Sequence, residues 1–268
     1  MRTMHFFVLA LLCAAAPAFA CTPIVSVPMT IAAPGTYCLS GNLSVANSDA
    51  ITVQADFVTI DFRGYTISGP GYVQGLDAVS STLRRNLIIR NGAIRGFENG
   101  VIAYTGTNIV VENMTISDVA RGVFFAQGAH NSARSNRIFD VKSVGIMYSA
   151  PAIPLLPNAL DHNTIVRDNE IADVGKAYGS FPTAFGTGIS ANGYGPAIIH
   201  NNAIAGVRGA SGSRGIGFSQ GGLAVENKIV GSTSAIECAA DGASAKSVRN
   251  VLLNGQGGGS YCLKYDNF

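Results

Sequence analysis

Four residues near the middle of the chain have side chains suited to proton transfer, and they are Asp161, His162, Lys176 and Tyr178. In such chemistry a cation neutralises a carboxylate, a base removes the proton beside it, and an acid protonates a leaving oxygen. Spacing along the chain does not show that the four converge. The alternative is structural: Asp161 and His162 cap a turn, while Lys176 and Tyr178 are solvated loop residues.

These residues fall in two segments that lengthen an otherwise regular repeat. Residues 149–163 contain three prolines, and residues 175–187 contain three aromatic residues. Insertions on one face of a repeat protein usually build its binding site. We therefore expect the two segments to wall opposite sides of one surface, near Met147 and Ser190.

An asparagine recurs along most of the chain, at steps of 22 to 33 residues. Stacked side-chain amides at a tight turn bond to one another and to the turn backbone, and asparagine tolerates left-handed backbone angles. The column is therefore predicted to be structural. Its members are Asn91, Asn113, Asn136, Asn169, Asn202, Asn227 and Asn250.

Three further columns keep the same period. An aliphatic column follows the asparagines, and an Asp/Gly column, in which the alternation of the two residue types indicates a turn, comes next. A glycine column opens a further strand. The aliphatic column is Ile94, Ile116, Ile138, Ile171, Ile204 and Ile229; the Asp/Gly column is Gly69, Gly96, Asp118, Asp140, Asp173, Gly206 and Gly231; the glycine column is Gly100, Gly122, Gly145, Gly188 and Gly215.

Each turn of the repeat holds three short segments in which apolar residues alternate with polar ones, as a strand with one buried face requires. A single turn could not bury its own apolar face, whereas stacked turns bury a continuous core. The pattern predicts an all-β parallel solenoid of about eight rungs.

These columns resemble the right-handed parallel β-helix superfamily of pectate lyases, polygalacturonases, alginate epimerases and phage tailspikes. The resemblance covers roughly residues 40–265, and the segments 58–69 and 91–97 look like repeats of that superfamily. Its catalytic motifs are not matched: the nearest sequence to the epimerase Asp-Pro-His-Asp is residues 161–163. The resemblance therefore implies a fold and not a particular reaction.

In this superfamily the enzymes bind substrate along one sheet, which the resemblance places at the glycine column. Strand alternation then puts one side chain of each strand outward. Only two carboxylates fall on this stripe, at opposite ends, so paired carboxylates are not expected there. The predicted outward residues are Ile102, Phe124, Met147, Ser190, Gly217 and Glu237, with Thr52 and Asp77 from earlier rungs.

Candidate substrate-binding residues follow from this register. Phe124, Met147 and Ser190 lie on the stripe, while Arg121 and Arg214 each precede a glycine of the column. The two arginines reach an acidic sugar or pair with neighbouring acids. Aromatic rings on this side would be platforms for sugar faces, although Tyr148 is predicted to point inward with Phe125.

Composition excludes some classes of partner. Charged residues make up 13% of the chain, the net charge is +2, and lysine and arginine are scattered, which argues against nucleic acid. No window after residue 20 has the apolar length of a membrane span. Calcium has no binding motif here, so neither a metal nor another cofactor is predicted.

The N-terminus is typical of an exported protein. Residues 1–20 read as a signal peptide, residues 21–42 as an N-terminal cap and residues 43–268 as the parallel β-helix. The protein is predicted to be periplasmic or secreted. Lipid anchoring at Cys21 is the alternative, but Ala18 stands where that motif has an aliphatic residue.

Four cysteines follow the predicted signal, and the compartment permits disulfides. The local pairing joins Cys21 to Cys38 and Cys238 to Cys262, which would clamp the two ends of the solenoid. A zinc site is the alternative, but the close spacing of such sites does not occur.

Two functions are compatible with these observations. The first is action on a polysaccharide, by elimination or epimerisation at a uronic acid, in a cleft near Met147; the two insertions favour it. The second is a β-helix that binds glycan without turnover, or that serves as a surface or envelope module; the missing motifs favour it.

Overall fold

The computed structural model describes most of the chain after residue 20. The described ranges are 21–71, 75–149, 163–175, 185–192, 196–209, 212–219, 221–238, 245–253 and 262–265. The four predicted catalytic residues, Asp161, His162, Lys176 and Tyr178, lie outside them, as does the predicted signal peptide.

Within these ranges every regular element is a β-strand. The strands are β1 (Thr22–Ile24), β2 (Met29–Ile31), β3 (Gly35–Leu39), β4 (Leu43–Ser44), β5 (Ile51–Val53), β6 (Val58–Asp61), β7 (Thr66–Ser68), β8 (Asp77–Thr82), β9 (Arg85–Tyr104), β10 (Thr107–Ala126), β11 (Ser132–Arg134), β12 (Arg137–Ser149), β13 (Thr164–Arg167), β14 (Glu170–Val174), β15 (Gly186–Asn192), β16 (Ala197–His200), β17 (Ala203–Ala205), β18 (Ser213–Phe218), β19 (Gly222–Val225), β20 (Lys228–Val230), β21 (Ser234–Cys238), β22 (Lys246–Val248), β23 (Val251–Leu253) and β24 (Leu263–Tyr265).

The strands pair in parallel and form three ladders. Ladder A joins β1, β3, β6, the first parts of β9 and β10, then β11, β13, β16, β19, β22 and β24. Ladder B joins β4, β7, the middle of β9 and β10, the start of β12, then β14, β17, β20 and β23. Ladder C joins β2, β5, β8, the ends of β9, β10 and β12, then β15, β18 and β21.

Strand β9 shows how one turn of chain serves all three ladders. Its Leu87 pairs with β6 in ladder A, Ile94 with β7 in ladder B, and Val101 with β8 in ladder C. The chain therefore winds as a parallel β-helix, which confirms the predicted fold class. Strands β1 to β3, in the segment predicted as a cap, already pair within ladders A and C.

The core lies inside the three ladders, where the inward side chains stack. Phe125 is fully buried and Tyr148 is 2% exposed, as predicted. The glycine column borders this core. A Cβ on Gly145 would lie 2.6 Å from the Gly188 carbonyl oxygen and 2.7 Å from Cγ2 of Ile171. Glycine is needed there because the next rung approaches too closely for a side chain.

The asparagine column forms a hydrogen-bonded ladder from Asn136 onward. Asn136 Nδ2 donates to Asn169 Oδ1 at 3.0 Å, and Asn169 Nδ2 donates to Asn202 Oδ1 at 2.9 Å. Asn227 and Asn250 continue the series. These side chains are at most 2% exposed, so the predicted structural role is confirmed for them.

The structure moves the first two predicted members of that column, Asn91 and Asn113, to a different position of the turn. The backbone N–H of Met114 donates to Asn136 Oδ1, so Met114, not Asn113, holds the equivalent position. Asn91 and Asn113 lie one residue earlier, with φ of 62° and 53°. They form the left-handed turn, whereas the buried asparagines follow such a turn. Asparagine is favoured at both positions, so the repeat spacing in the sequence assigned the turn asparagines and the stacked asparagines to one column.

The Asp/Gly column adopts the turn conformation predicted for it. Asp118, Asp140 and Asp173 have φ of 51°, 55° and 51°, and the glycines from Gly96 onward also have positive φ. Gly69, the first member, is not in this conformation. The carboxylates of this column therefore belong to turns.

Disulfides form at both ends of the described chain, with the predicted pairing. Cys21 joins Cys38 with a Cα–Cα distance of 5.7 Å, and Cys238 joins Cys262 at 5.4 Å. None of the described residues belongs to a helix that is long and apolar enough to cross a membrane.

Candidate functional site

The outward face of ladder C carries the stripe predicted from the sequence. Phe124 pairs with Ile102 and with Met147 on the neighbouring strands, and Met147 pairs with Ser190. The column then continues through Gly217 and Glu237. The predicted contact residues therefore share one face of the ladder, which we call the cleft face. Ile102 lies in the same column but is only 1% exposed, so it does not offer a contact surface.

The start of this stripe differs from the prediction. Thr52 pairs with Ser80, so Ser80 belongs to the outward column and Asp77 does not. Asp77 instead pairs with Asn99, which pairs with Arg121. The misplacement arose because Ala78 stands where later strands have the glycine of the column, and this hid the alignment.

Asn99 connects the two charged side chains on either side of it. Its Nδ2 donates to Asp77 Oδ1 at 2.6 Å, and its Oδ1 accepts from Arg121 Nε at 2.6 Å. Asn99 is only 4% exposed. A buried amide with both ends occupied fixes the positions of its partners.

Two further carboxylates complete the group, which we call the Asp77 cluster: Asp49, Asp77, Glu98, Asn99 and Arg121. Asp49 Oδ1 accepts from the backbone N–H of Asp77 at 2.9 Å, and Glu98 is ion-paired with Arg121. The sequence-based expectation concerned the outward column alone, and these carboxylates lie beside that column. Asp49 precedes its ladder C strand and Glu98 lies one residue before the Asp77 column, so alternation could not reveal them.

Asp77 has an altered affinity for protons. Burial raises the pKa of its carboxyl to about 6; the hydrogen bond from Asn99 opposes the rise, Asp49 and Glu98 add to it, and Arg121 opposes it. A carboxyl that titrates near neutrality on a cleft surface is a candidate acid or base.

Aromatic rings lie beside the Asp77 cluster. The guanidinium carbon of Arg121 is 5.3 Å from the ring centroid of Phe124, and the Tyr104 ring is 6.3 Å from that of Phe124 in an edge-on arrangement. Tyr104 is 45% exposed. Exposed ring faces beside polar groups are suited to sugar rings.

The second predicted arginine lies further along the same face. Arg214 occupies the column of Asp77, Asn99 and Arg121, three strands beyond Arg121, which is about 14 Å at the usual strand spacing. It forms an ion pair of 2.8 Å with Glu237. Both candidate arginines are therefore paired with carboxylates, one of the two outcomes expected from the sequence.

Among the residues described by the structure, no group of three or more His, Cys, Asp or Glu side chains is placed to hold a metal ion. Asp77, Asn99 and Arg121 are polar side chains that hydrogen bonds hold together on the cleft face. Of these, the sequence named Arg121 as a candidate binding residue and Asp77 as an outward residue of the stripe, and it missed Asn99. Aligning the residue before each glycine of the column would have placed Asp77 and Asn99 in one column with Arg121.

Three parallel ladders wound by one chain define the class of parallel β-helix proteins. A family model described as right handed beta helix region matches residues 37–181, more than half of the chain. The chain belongs to this family, and its solenoid is right-handed. No curated protein sequence matches it.

Solved structures share the fold at low sequence identity. An alginate lyase from Paenibacillus sp. str. FPU-7 superposes with a TM-score of 0.55 and 14% identity, over 87% of this chain and 92% of that one. Pectate lyase Pel9A superposes with a TM-score of 0.58 and 14% identity, over 87% and 71%. The catalytic domain of a GH87 α-1,3-glucanase in complex with tetrasaccharides gives 0.53 and 11%, over 87% and 54%. At these identities the likeness concerns the fold alone.

Proposed function

We propose that this protein acts on a polysaccharide that contains uronic acid, by elimination or epimerisation, on the cleft face. The observation that carries the proposal is the buried Asn99 amide, which holds Asp77 and Arg121 side by side. A proton acceptor next to a cation is what removal of a proton beside a carboxylate requires.

In this mechanism the uronate carboxylate replaces Glu98 as the partner of the Arg121 guanidinium, which then stabilises the charge that develops on the uronate. The Asp77 carboxylate takes the α-proton. Returning a proton to the opposite face inverts the carbon, whereas breaking the glycosidic C–O bond forms a C=C bond and sends the electron pair to the leaving oxygen. We propose that one of four residues, Asp161, His162, Lys176 or Tyr178, is the acid that protonates this leaving oxygen.

Position and environment support these roles. Asp77 Oδ2 accepts no hydrogen bond from a described residue, and Phe124 and Tyr104 provide a surface for the sugar ring. Two disulfides favour an oxidising compartment, so we place the protein in the periplasm or outside the cell. Alginate and pectate lyases share the fold and are the reason to begin with those polymers.

A glycan-binding protein without turnover is the second candidate. It is favoured by the ion pairs of Arg121 with Glu98 and of Arg214 with Glu237, because a paired guanidinium binds an added carboxylate less strongly. The same surface would then hold a polysaccharide as part of an envelope or surface module.

The test is incubation with alginate, pectate and glycosaminoglycans in deuterated buffer. Elimination is followed by the absorbance of the unsaturated uronate, and epimerisation by deuterium uptake at the inverted carbon. We expect a rate that rises with pH through about 6, where Asp77 ionises, and that falls about 100-fold or more in Asp77→Asn.

Asp168→Asn is the matched control, because Asp168 is ion-paired with Arg167 on ladder A, away from the cleft face. Polymer retention without product or deuterium uptake would favour the binding candidate. Neither retention nor product on any polymer would contradict both candidates.

A further inference from the structure

A small pocket lies at the far end of the cleft face from Asp77. It has a volume of about 110 Å³, and its lining includes Thr187, Ser190, Arg214, Gly217 and Glu237. Gly217 stands between Ser190 and Glu237 in the outward column. The space exists because this position has no side chain: a Cβ there would already lie 3.4 Å from Arg214 Cδ.

The pocket is lined by two hydroxyls and by one buried nitrogen that the described part of the protein leaves unpaired. Thr187 is 6% and Ser190 8% exposed, and both line the pocket. Arg214 Nε is buried and likewise has no acceptor within the described part of the chain. Buried polar groups are nearly always paired, so the unpaired Arg214 Nε indicates a polar ligand.

The charges of the pocket indicate which ligand. Arg214 and Glu237 form an ion pair of 2.8 Å, so the pair has no net charge. The two side chains are 38% and 32% exposed, so the pair faces solvent. A hydroxyl both donates and accepts, and two adjacent hydroxyls match a guanidinium beside a carboxylate. A uronate placed here would meet the Glu237 carboxylate.

We propose that this pocket is a subsite for a neutral sugar, which binds through two adjacent hydroxyls to Arg214 and Glu237. The hydroxyls of Thr187 and Ser190 complete the contacts. The ring of Phe185, 46% exposed and 5.4 Å from the Arg214 guanidinium carbon, offers an apolar face beside the pocket.

Together the two sites specify a class of substrate. The Asp77 cluster takes a uronic acid, and the pocket takes a neutral sugar about 14 Å further along the cleft face. The substrate is then a heteropolysaccharide that combines both kinds of sugar. This step rests on the proposed function, whereas the pocket itself does not.

The pocket is tested by NMR titration of the wild-type protein with methyl glycosides of glucose, galactose and mannose, and with glucuronate and galacturonate. We expect at least one neutral glycoside to shift the amide signals of Ser190 and Gly217 saturably, and the uronates to bind more weakly. Uronates that bind better than every neutral glycoside, or neutral glycosides that leave these amides unmoved, overturn the proposal.

Glu237→Gln removes the charged acceptor and keeps the shape of the side chain. We expect it to weaken the neutral glycoside by roughly tenfold or more, and to narrow its preference over the uronates. Glu170→Gln is the control, because Glu170 is an exposed partner of Arg137 on ladder B. Thr187→Val keeps the volume and removes one hydroxyl, so weaker binding with an unchanged melting temperature separates recognition from folding.

The two proposals fail in different ways. Saturable binding in the pocket without any polymer turnover contradicts the enzymatic function and keeps the subsite. Turnover of a uronate polymer without neutral-sugar binding contradicts the subsite and keeps the enzyme.

Discussion

Asp77 combines a role in the proposed chemistry with a cost to the fold. Its carboxyl is buried beside Asp49 and Glu98, which raises its pKa to about 6. An unfolded aspartate titrates near 3.9. Between these two values the folded chain holds the proton more tightly than the unfolded chain does, so the free energy of unfolding decreases as pH rises.

Asp77→Asn is therefore expected to stabilise the protein above the folded pKa. It removes the buried negative charge, and we expect a gain of about 1–2 kcal/mol near pH 8, after allowance for solvent screening, and little change near pH 4. Thermal melts at both pH values measure this. A loss of stability near pH 8, or the same shift at both pH values, would contradict the assignment.

The residues of the cleft were only partly predictable. Alternation placed Phe124, Met147 and Ser190 correctly, because each lies inside a regular strand. It missed Asp49, which lies just before β5, and Glu98, which lies in β9 between its ladder B and ladder C parts. At both places a corner sets the backbone direction, and no two-residue period describes a corner.

The glycine column couples two ladders. Gly100, Gly122, Gly145, Gly188 and Gly215 each leave room for an isoleucine of ladder B and a carbonyl of the next rung. The aliphatic column and the glycine column therefore pack directly against each other.

Gly145→Ala tests this contact. Its Cβ would lie 2.6 Å from a backbone oxygen, and we expect a loss of about 2–4 kcal/mol of unfolding free energy by denaturant titration, because backbone cannot yield as a side chain does. Gly41→Ala is the control: nothing lies within 4 Å of the added Cβ. Equal effects of both substitutions would show that the close approach is not rigid.

The asparagine ladder offers a second test, with two neighbouring residues of the same type. Asn202 is 1% exposed and bonds to Asn227 and to the backbone, so Asn202→Ala should cost about 2–4 kcal/mol by leaving buried donors unpaired. Asn201 has φ 52° and an exposed amide. Asn201→Gly keeps the left-handed turn and should cost less than about 1 kcal/mol.

The fold was predictable because most turns of the chain repeat the same four columns. The error at Asn91 and Asn113 has a physical origin: a left-handed turn and a buried stack both favour asparagine, and they occupy adjacent positions. Only hydrogen bonds between rungs, such as that from Met114 to Asn136, fix which position is which.

Across the whole molecule, stability in a solenoid is a sum of contacts between neighbouring rungs, so opening begins at the ends. The disulfides lie there, and each closes a loop of 17 or 24 residues. Loops of this size stabilise a fold by roughly 3 kcal/mol.

Cys262→Ser with Cys238→Ser is expected to increase hydrogen exchange in β22–β24 and to leave the centre of β9 and β10 nearly unchanged. The matched pair Cys21→Ser with Cys38→Ser should do the same for β1–β3. Uniform acceleration over the whole chain would instead indicate one cooperative unit.

The parallel pairing of every strand with its copy one turn away also limits how such a chain can lengthen over evolutionary time. An insertion or deletion of residues within a strand shifts the pairing of the ladders out of register. The two lengthened segments of this sequence, 149–163 and 175–187, fall mainly between the described strands. Duplicating one complete turn, such as the 22 residues that separate Val101 from Val123, restores every pairing. Each duplication would extend the cleft by about 4.8 Å, so its length changes in fixed increments.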